Sequence, residues 1–196
     1  MRAILLLSIV AGSLLLGETI QDKFGQHVVS SFEDDLQVAK KLRLPHSPEY
    51  NPQNSIGMIQ KMVKEKPNYY RGYYNLGLAY LETKEYEKSK ASFDKALEIR
   101  NKEKISDVTI FNSAGWSALK AQDYPRAEKL FLQGVALKEL NSKRSNAALF
   151  ANFGLLYFYT QRFDEALKYL TIARDTYGST SAQTTIDSIK EIQSKK

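Results

Sequence analysis

The sequence predicts an all-α fold, a solenoid of helical hairpins. Three observations carry this prediction. A set of aromatic, small and bulky positions recurs three times along the chain. A short polar turn splits each recurrence into two helix-length halves. The final stretch, Thr180 to Ser194, repeats apolar Ala182, Ile186, Ile189 and Ile192 on one helical face, which suits a closing helix.

At the start, Met1-Arg2 precedes the apolar run Ala3 to Leu16, which is 14 residues long. Spanning a bilayer takes roughly 20 apolar residues, so residues 1–17 read as a secretory signal peptide, with an uncleaved membrane anchor as the alternative. Gly17 before Glu18 is the expected cleavage point, and Ala11-Gly12-Ser13 is an earlier option. A bacterial lipid anchor would need cysteine at position 18, where Glu18 stands. Export to the periplasm or the medium follows as an expectation, with membrane proximity through the N-terminus.

Residues 18–52 form an N-terminal helix and linker. Ser31 is a helix cap, and Glu33, Asp34 and Asp35 fall in the first turn, where the helix dipole favours negative charge. Lys40, Lys41 and Arg43 fall at the other end. The helix stops before Pro45, and Pro45 to Pro52 is a turn-rich linker. His27, His46 and the three acids do not make a metal site. Consecutive acids point in different directions around a helix, and the dipole already explains them.

The repeats align on Gly77, Gly115 and Gly154. An aromatic stands four residues before each: Tyr73, Phe111 and Phe150. Small residues stand twelve after: Ser89, Ala127 and Ala166. Bulky residues stand sixteen after: Phe93, Phe131 and Leu170. Ala96, Gly134 and Ala173 stand nineteen after. The mid-repeat turns are Thr83 to Tyr86, Ala121 to Tyr124 and Thr160 to Phe163, and Pro125 opens a second helix, where proline is tolerated. The glycine admits close approach of the second helix (B) to the first (A), and stacking is obligatory because one hairpin cannot bury its apolar face alone.

These positions, with Leu76 and Tyr80, Ala114 and Ala118, and Phe153 and Tyr157, resemble the tetratricopeptide repeat, a helix-turn-helix unit of about 34 residues. The resemblance spans residues 53–178. The glycine spacings are 38 and 39, so four or five extra residues fall after each helix B, around Asn101 to Asp107 and Asn141 to Ser145. Upstream, Ser55, Ile59, Met62 and Pro67 match the second half of a degenerate repeat, expected as a helix over 53–66 with the acidic helix 31–44 packed nearby. Its helix A would run through Pro45 and Pro48, which forbid one. Residues 179–196 are the capping helix and tail.

The resemblance implies that helix A residues not used in packing line a concave groove for a protein or peptide partner. Counted from the glycines, these are Arg71, Tyr74, Leu78 and Leu81, then Thr109, Asn112, Trp116, Leu119 and Lys120, then Ala148, Ala151, Leu155, Phe158 and Tyr159. Tyr74 and Leu78 stand where a chaperone-tail clamp would need basic or amide groups, so that partner class is not expected. The chain has no cysteine and only two histidines. No nucleophile–base set, phosphate loop or metal-ligand pair is present, and neither catalysis nor a cofactor is expected. The net charge of +6 comes from 28 basic and 22 acidic residues that are interspersed, and no nucleic-acid motif appears. The sequence therefore points to an exported, non-enzymatic adaptor holding a protein segment, within a bacterial envelope assembly. The alternative is a structural module that self-associates through residues 18–52 or the C-terminal helix.

Overall fold

The computed structural model describes residues 19–21, 27–29 and 32–195. The expected signal peptide and the cap at Ser31 lie outside the described residues. Among the described residues no helix is long and apolar enough to cross a membrane. The chain divides into two compact units, an N-terminal one through Lys84 and a C-terminal one from Glu85.

The N-terminal unit begins with a short antiparallel pair, β1 (Thr19–Gln21) and β2 (His27–Val29), in the register Thr19 to Val29. This pair was not expected in a segment read as helix and linker. Three helices follow: α1 (Phe32–Arg43), α2 (Pro52–Glu65) and α3 (Tyr70–Glu82). α1 has acids in its first turn and Lys40, Lys41 and Arg43 in its last, as the dipole favours. Its Leu36 and Ala39 pack with Ile56, Ile59, Met62 and Val63 of α2 and with Leu76, Ala79 and Tyr80 of α3. The buried Ser55 hydroxyl donates to the Ala39 carbonyl at 2.7 Å, tying α1 to α2. α1 therefore serves as the partner helix of α2. The degenerate half-repeat is a full hairpin whose loop is long, and Pro45 and Pro48 sit in that loop instead of breaking a helix. The Asn51 side chain caps α2 by accepting from the Asn54 amide at 3.1 Å, with Pro52 at the first helical position.

The C-terminal unit holds α4 (Tyr86–Glu103), α5 (Thr109–Lys120), α6 (Tyr124–Ala136), α7 (Lys143–Tyr159), α8 (Phe163–Asp175) and α9 (Ser181–Ser194), with a 3-10 turn at Lys138–Leu140. The packing positions behave as the spacing requires. Ser89, Ala127, Ala166, Phe131, Leu170 and Ala173 are fully buried, and Phe93 nearly so. A methyl group on Gly115 would meet the Phe131 ring at 2.7 Å, and one on Gly154 would meet Leu170 Cγ at 2.5 Å. The glycines are therefore what lets α5 lie on α6 and α7 on α8. Ser89 does more than stay small: it accepts a buried hydrogen bond from Ser117 at 2.8 Å, joining α4 to α5.

The two sets of extra residues are accommodated differently. After the first repeat, helix B itself lengthens: α4 has 18 residues, against 13 in α6 and in α8. α4 ends on Lys104 in the left-handed region, and the Asp107 carboxylate then accepts from the Thr109 amide and hydroxyl at 2.9 and 2.6 Å at the start of α5. After the second repeat, the 3-10 turn takes part of the insertion, and the next helix A starts early. α7 has 17 residues where α5 has 12. α9 caps the array with Ala182, Ile186 and Ile189 buried. Ile192, expected on the same buried face, is 36% exposed because it lies in the last turn, beyond the packed helices.

Candidate functional site

The expected groove residues separate into a set on α3 and a set on α5 and α7. On α3, Arg71 is exposed but engaged. Its guanidinium donates to Glu33 of α1 at 2.8 Å, and the Tyr69 hydroxyl donates to the other oxygen of the same carboxylate at 2.8 Å. Burial, and then the bond to Glu33, push the Tyr69 phenol well above the usual tyrosine range. Tyr74 is half-buried, its ring 6.2 Å from that of Tyr70. Burial lowers the Arg43 guanidinium, while Tyr74 and Glu82 beside it act in the opposite sense. Tyr50 of the linker donates to Glu82 at 3.0 Å. Leu78 and Leu81 are half-buried. α1 and the linker after it thus take up much of the polar capacity of the α3 face.

α5 and α7 run in the same direction with α6 antiparallel between them. Their register is fixed by Asn152, which donates to Asn112 at 2.9 Å. From there Asn112, Trp116 and Lys120 form one stripe on α5, at helical spacings of four. The Lys120 ammonium lies 5.3 Å from the centroid of the half-buried Trp116 ring. On α7 the matching stripe is Ala148, Asn152, Leu155 and Tyr159. Leu155 is half-buried and Tyr159 is 52% exposed. Ala151 and Leu119, expected in the groove, are instead 7% and 4% exposed, inside the core. On α7 the cause is rotation: Asn152, and not Ala151, faces α5, which turns Ala151 inward. On α5, Leu119 lies on the buried side with Ala118 while its neighbour Lys120 is exposed. Thr109 is half-buried, Phe158 packs beside Tyr159 and Phe163, and Ala148 is exposed.

Sequence reasoning missed Asn152 and Arg144. A pair of asparagines 40 residues apart, Asn112 three before Gly115 and Asn152 two before Gly154, was the available signal for the first. For Arg144 the signal was its place four residues before Ala148, once α7 is known to start early. A separate polar cluster joins Tyr157, Glu128 and Arg162. The Tyr157 hydroxyl donates to Glu128 at 2.8 Å, and the Arg162 guanidinium lies 4.3 Å from the Tyr157 ring. Burial, and then Glu128, raise the Tyr157 phenol. These contacts join α7 and the turn after it to α6. Among the described residues no group of three or more potential metal ligands comes together.

Antiparallel helix pairs stacked through glycine and alanine contacts define the class: a helical-repeat solenoid. The family follows from comparison with known proteins. Residues 69–140 match the tetratricopeptide repeat model. Among solved structures, residues 41 to the end of MamA from Desulfovibrio magneticus RS-1 are similar, at 15% identity and a TM-score of 0.58, covering 83% of this chain and 97% of that one. A second MamA crystal structure is similar at 16% identity and a TM-score of 0.55, covering 86% of this chain and 98% of that one. At these identities the likeness is one of fold. No curated protein matches the chain by sequence.

Proposed function

We propose that this protein is an exported, non-enzymatic adaptor that holds a segment of another protein against the α5–α7 face, as part of a cell-envelope assembly. The fold supports the coarser part of this reading, because stacked helical hairpins build extended surfaces suited to protein partners. The single observation that carries the finer part is the α5–α7 face itself. An exposed Tyr159, a half-buried Trp116 and a polar Asn112–Asn152 pair share one surface. Aromatic side chains offer large contact area with few rotatable bonds, and interface hot spots are enriched in them. Support for export is the charged start and the apolar run of residues 1–17.

Trp116 is the only tryptophan, so its emission reports on this face directly. A partner captured from the native source should shift that emission on titration, and should lose binding to the folded Trp116→Ala/Tyr159→Ala variant. Undiminished binding by that variant removes the face from consideration. N-terminal sequencing of the mature protein tests export: a chain beginning at Glu18 agrees, and an intact Met1 excludes cleavage. The rival reading, self-association through α9, rests on Ile192, which stands 36% exposed in the capping helix. Light scattering that shows a strict monomer at tens of micromolar removes it.

A further inference from the structure

The two insertions that lengthen the repeats open at one end of the C-terminal unit. Each follows a helix B and precedes the next helix A, and α4 to α7 pack in antiparallel succession. Residues 100–109 and 137–146 therefore share an end, and the short turns at Gln122 and Gln161 share the opposite one. The insertion end carries six cations and three acids. Two of the cations are already engaged: Arg100 donates to the Asp107 carbonyl at 2.5 Å, and Lys138 pairs with its neighbour Glu139 at 3.0 Å. Lys102, Lys104, Lys143 and Arg144 are exposed and, among the described residues, make no ion pair. The helix dipole favours Lys102 and Lys104 at the C-terminal end of α4. It opposes Lys143 and Arg144, which stand in the first turn of α7.

The same end exposes apolar side chains. Leu132 and Ala136 stand one turn apart on the outer side of α6, and Leu140 follows in the 3-10 turn. Leu132 is 46% exposed. Leu140, at 67%, is the most exposed large hydrophobic among the described residues. A solvated turn has no use for leucine in packing, and the capping bonds of the insertion come from other residues, Ser142 among them. A second copy of the chain is a poor occupant for this stripe. Two leucines and an alanine are far less surface than the roughly 800 Å² per partner of a stable dimer.

We propose that the insertion end of the C-terminal unit docks on an anionic membrane surface. Leu140 enters the boundary between headgroups and acyl chains, and Lys102, Lys104, Lys143 and Arg144 meet the lipid phosphates. The complementarity is twofold. Each cation near an anionic bilayer strengthens binding about fivefold. The leucine then decides between anionic partners: nucleic acid pairs with cations through its phosphates but gives an exposed leucine no apolar layer to enter, and a bilayer supplies both. Docked by this end, α5 and α7 stand on the membrane at their N-terminal ends. The surface between them stays open to the side, so this contact is separate from the partner site proposed above and does not rest on it.

The test is co-sedimentation of the full chain with vesicles of phosphatidylcholine, alone or with phosphatidylglycerol at roughly three to one. The N-terminal run is common to every variant, so differences between variants report on the insertion end. Binding to the anionic vesicles is expected to be roughly tenfold tighter, with the preference shrinking as salt rises. Lys143→Glu/Arg144→Glu should remove most of that preference. It places acids at a helix start, so the melting temperature should rise while vesicle binding falls, which separates the loss from unfolding. The chain has no cysteine, so Leu140→Cys gives a unique site for an environment-sensitive dye. Its emission should shift to the blue with anionic vesicles. A dye at Asp164→Cys, in the first turn of α8 at the opposite end of the unit, should not respond. Equal binding to the two compositions, an unchanged preference in the charge-reversed variant, or a shift at position 164 in place of 140 overturns the proposal. A shift at position 140 given by a DNA duplex and not by vesicles overturns it in favour of nucleic acid.

Discussion

The A-helix faces of the two units carry similar residues and treat them differently. In the N-terminal unit, Arg71 is held by Glu33, Glu82 accepts from Tyr50, and Tyr69 donates to Glu33. The helix before the array turns Glu33 onto α3. In the C-terminal unit, among the described residues, Lys120 and Arg144 make no ion pair, and Tyr159 is half exposed. The same repeat geometry thus gives one face that its own chain has closed and another that is left open. The difference teaches that position in the repeat decides which residues reach the face, while the neighbouring helix decides whether they remain available.

The largest effect should come from close packing at glycine, which Gly154 of the C-terminal unit needs and Gly57 of the N-terminal unit does not. In Gly154→Ala the new methyl meets Leu170 Cγ at 2.5 Å and its backbone nitrogen at 3.2 Å, so the hairpin must part. Overpacking of this kind costs about 3 kcal/mol at the upper end. Gly57 of α2, also mid-helix, has nothing within 4 Å of an added methyl. Gly57→Ala should stabilise by about 0.5–1 kcal/mol, since glycine is the costlier residue in a helix interior. Chemical denaturation of the two variants gives opposite signs if this is right. A neutral Gly154→Ala breaks the claim that close approach fixes the C-terminal unit.

The next effect lies in binding. Trp116→Ala should weaken a partner held on the open face by about 2 kcal/mol, close to thirtyfold. Tyr74→Ala, on the closed face, should change affinity less than threefold. Titration of both variants against the captured partner tests the comparison directly, and equal losses would mean that the α3 face is open after all.

A third effect concerns the turns inside the repeats. Lys84, Gln122 and Gln161 occupy the left-handed region, with φ of 62, 62 and 59°. Non-glycine residues pay roughly 1 kcal/mol there. Gln122→Gly and Gln161→Gly should each raise stability by about 0.5–1 kcal/mol, read as a higher denaturation midpoint at unchanged slope. A loss in either would show that its side chain holds the turn in a way the geometry does not reveal.

Much of the hairpin pattern was legible because its positions are forced. Gly115, Ala127 and Phe131 must have those sizes for α5 to touch α6, so their spacing survives in the residues. The left-handed turns were not legible, because lysine and glutamine there give no glycine or asparagine signal. The packing of the acidic helix near 53–66 was legible, but its place as the first helix of a hairpin was hidden by Pro45 and Pro48, which rule out a helix in the expected register but not one set back by a longer loop. The face was half legible. A glycine-based count identifies the stripe to within one residue, and that one residue separates Asn152 from Ala151. Arg144 was hidden by the insertion, whose length the sequence shows but whose assignment to α7 depends on the Ser142 cap, accepting from Ser145 at 3.1 Å.

The smallest effect tests what closes the N-terminal face. The side chains of Arg71 and Glu33 are 52% and 49% exposed, so their pair is screened by water and is worth less than about 1 kcal/mol. Glu33→Gln should lower the melting temperature by no more than roughly 3 °C. At high salt the wild type should lose the same increment and the variant should not, because only the wild type has a charge pair to screen. The Tyr69 phenol gives an independent readout. Burial and the Glu33 bond raise its ionisation in the folded chain above the unfolded value of about 10. That contribution to stability is complete below about pH 10 and is lost as pH climbs from there toward the folded value. In Glu33→Gln the carboxylate's share of the shift disappears while burial remains, so phenolate absorbance should rise at lower pH than in the wild type. An unmoved Tyr69 titration would mean that Glu33 is a spectator on the α3 face, and the contrast between a closed face and an open one would lose its chemical basis.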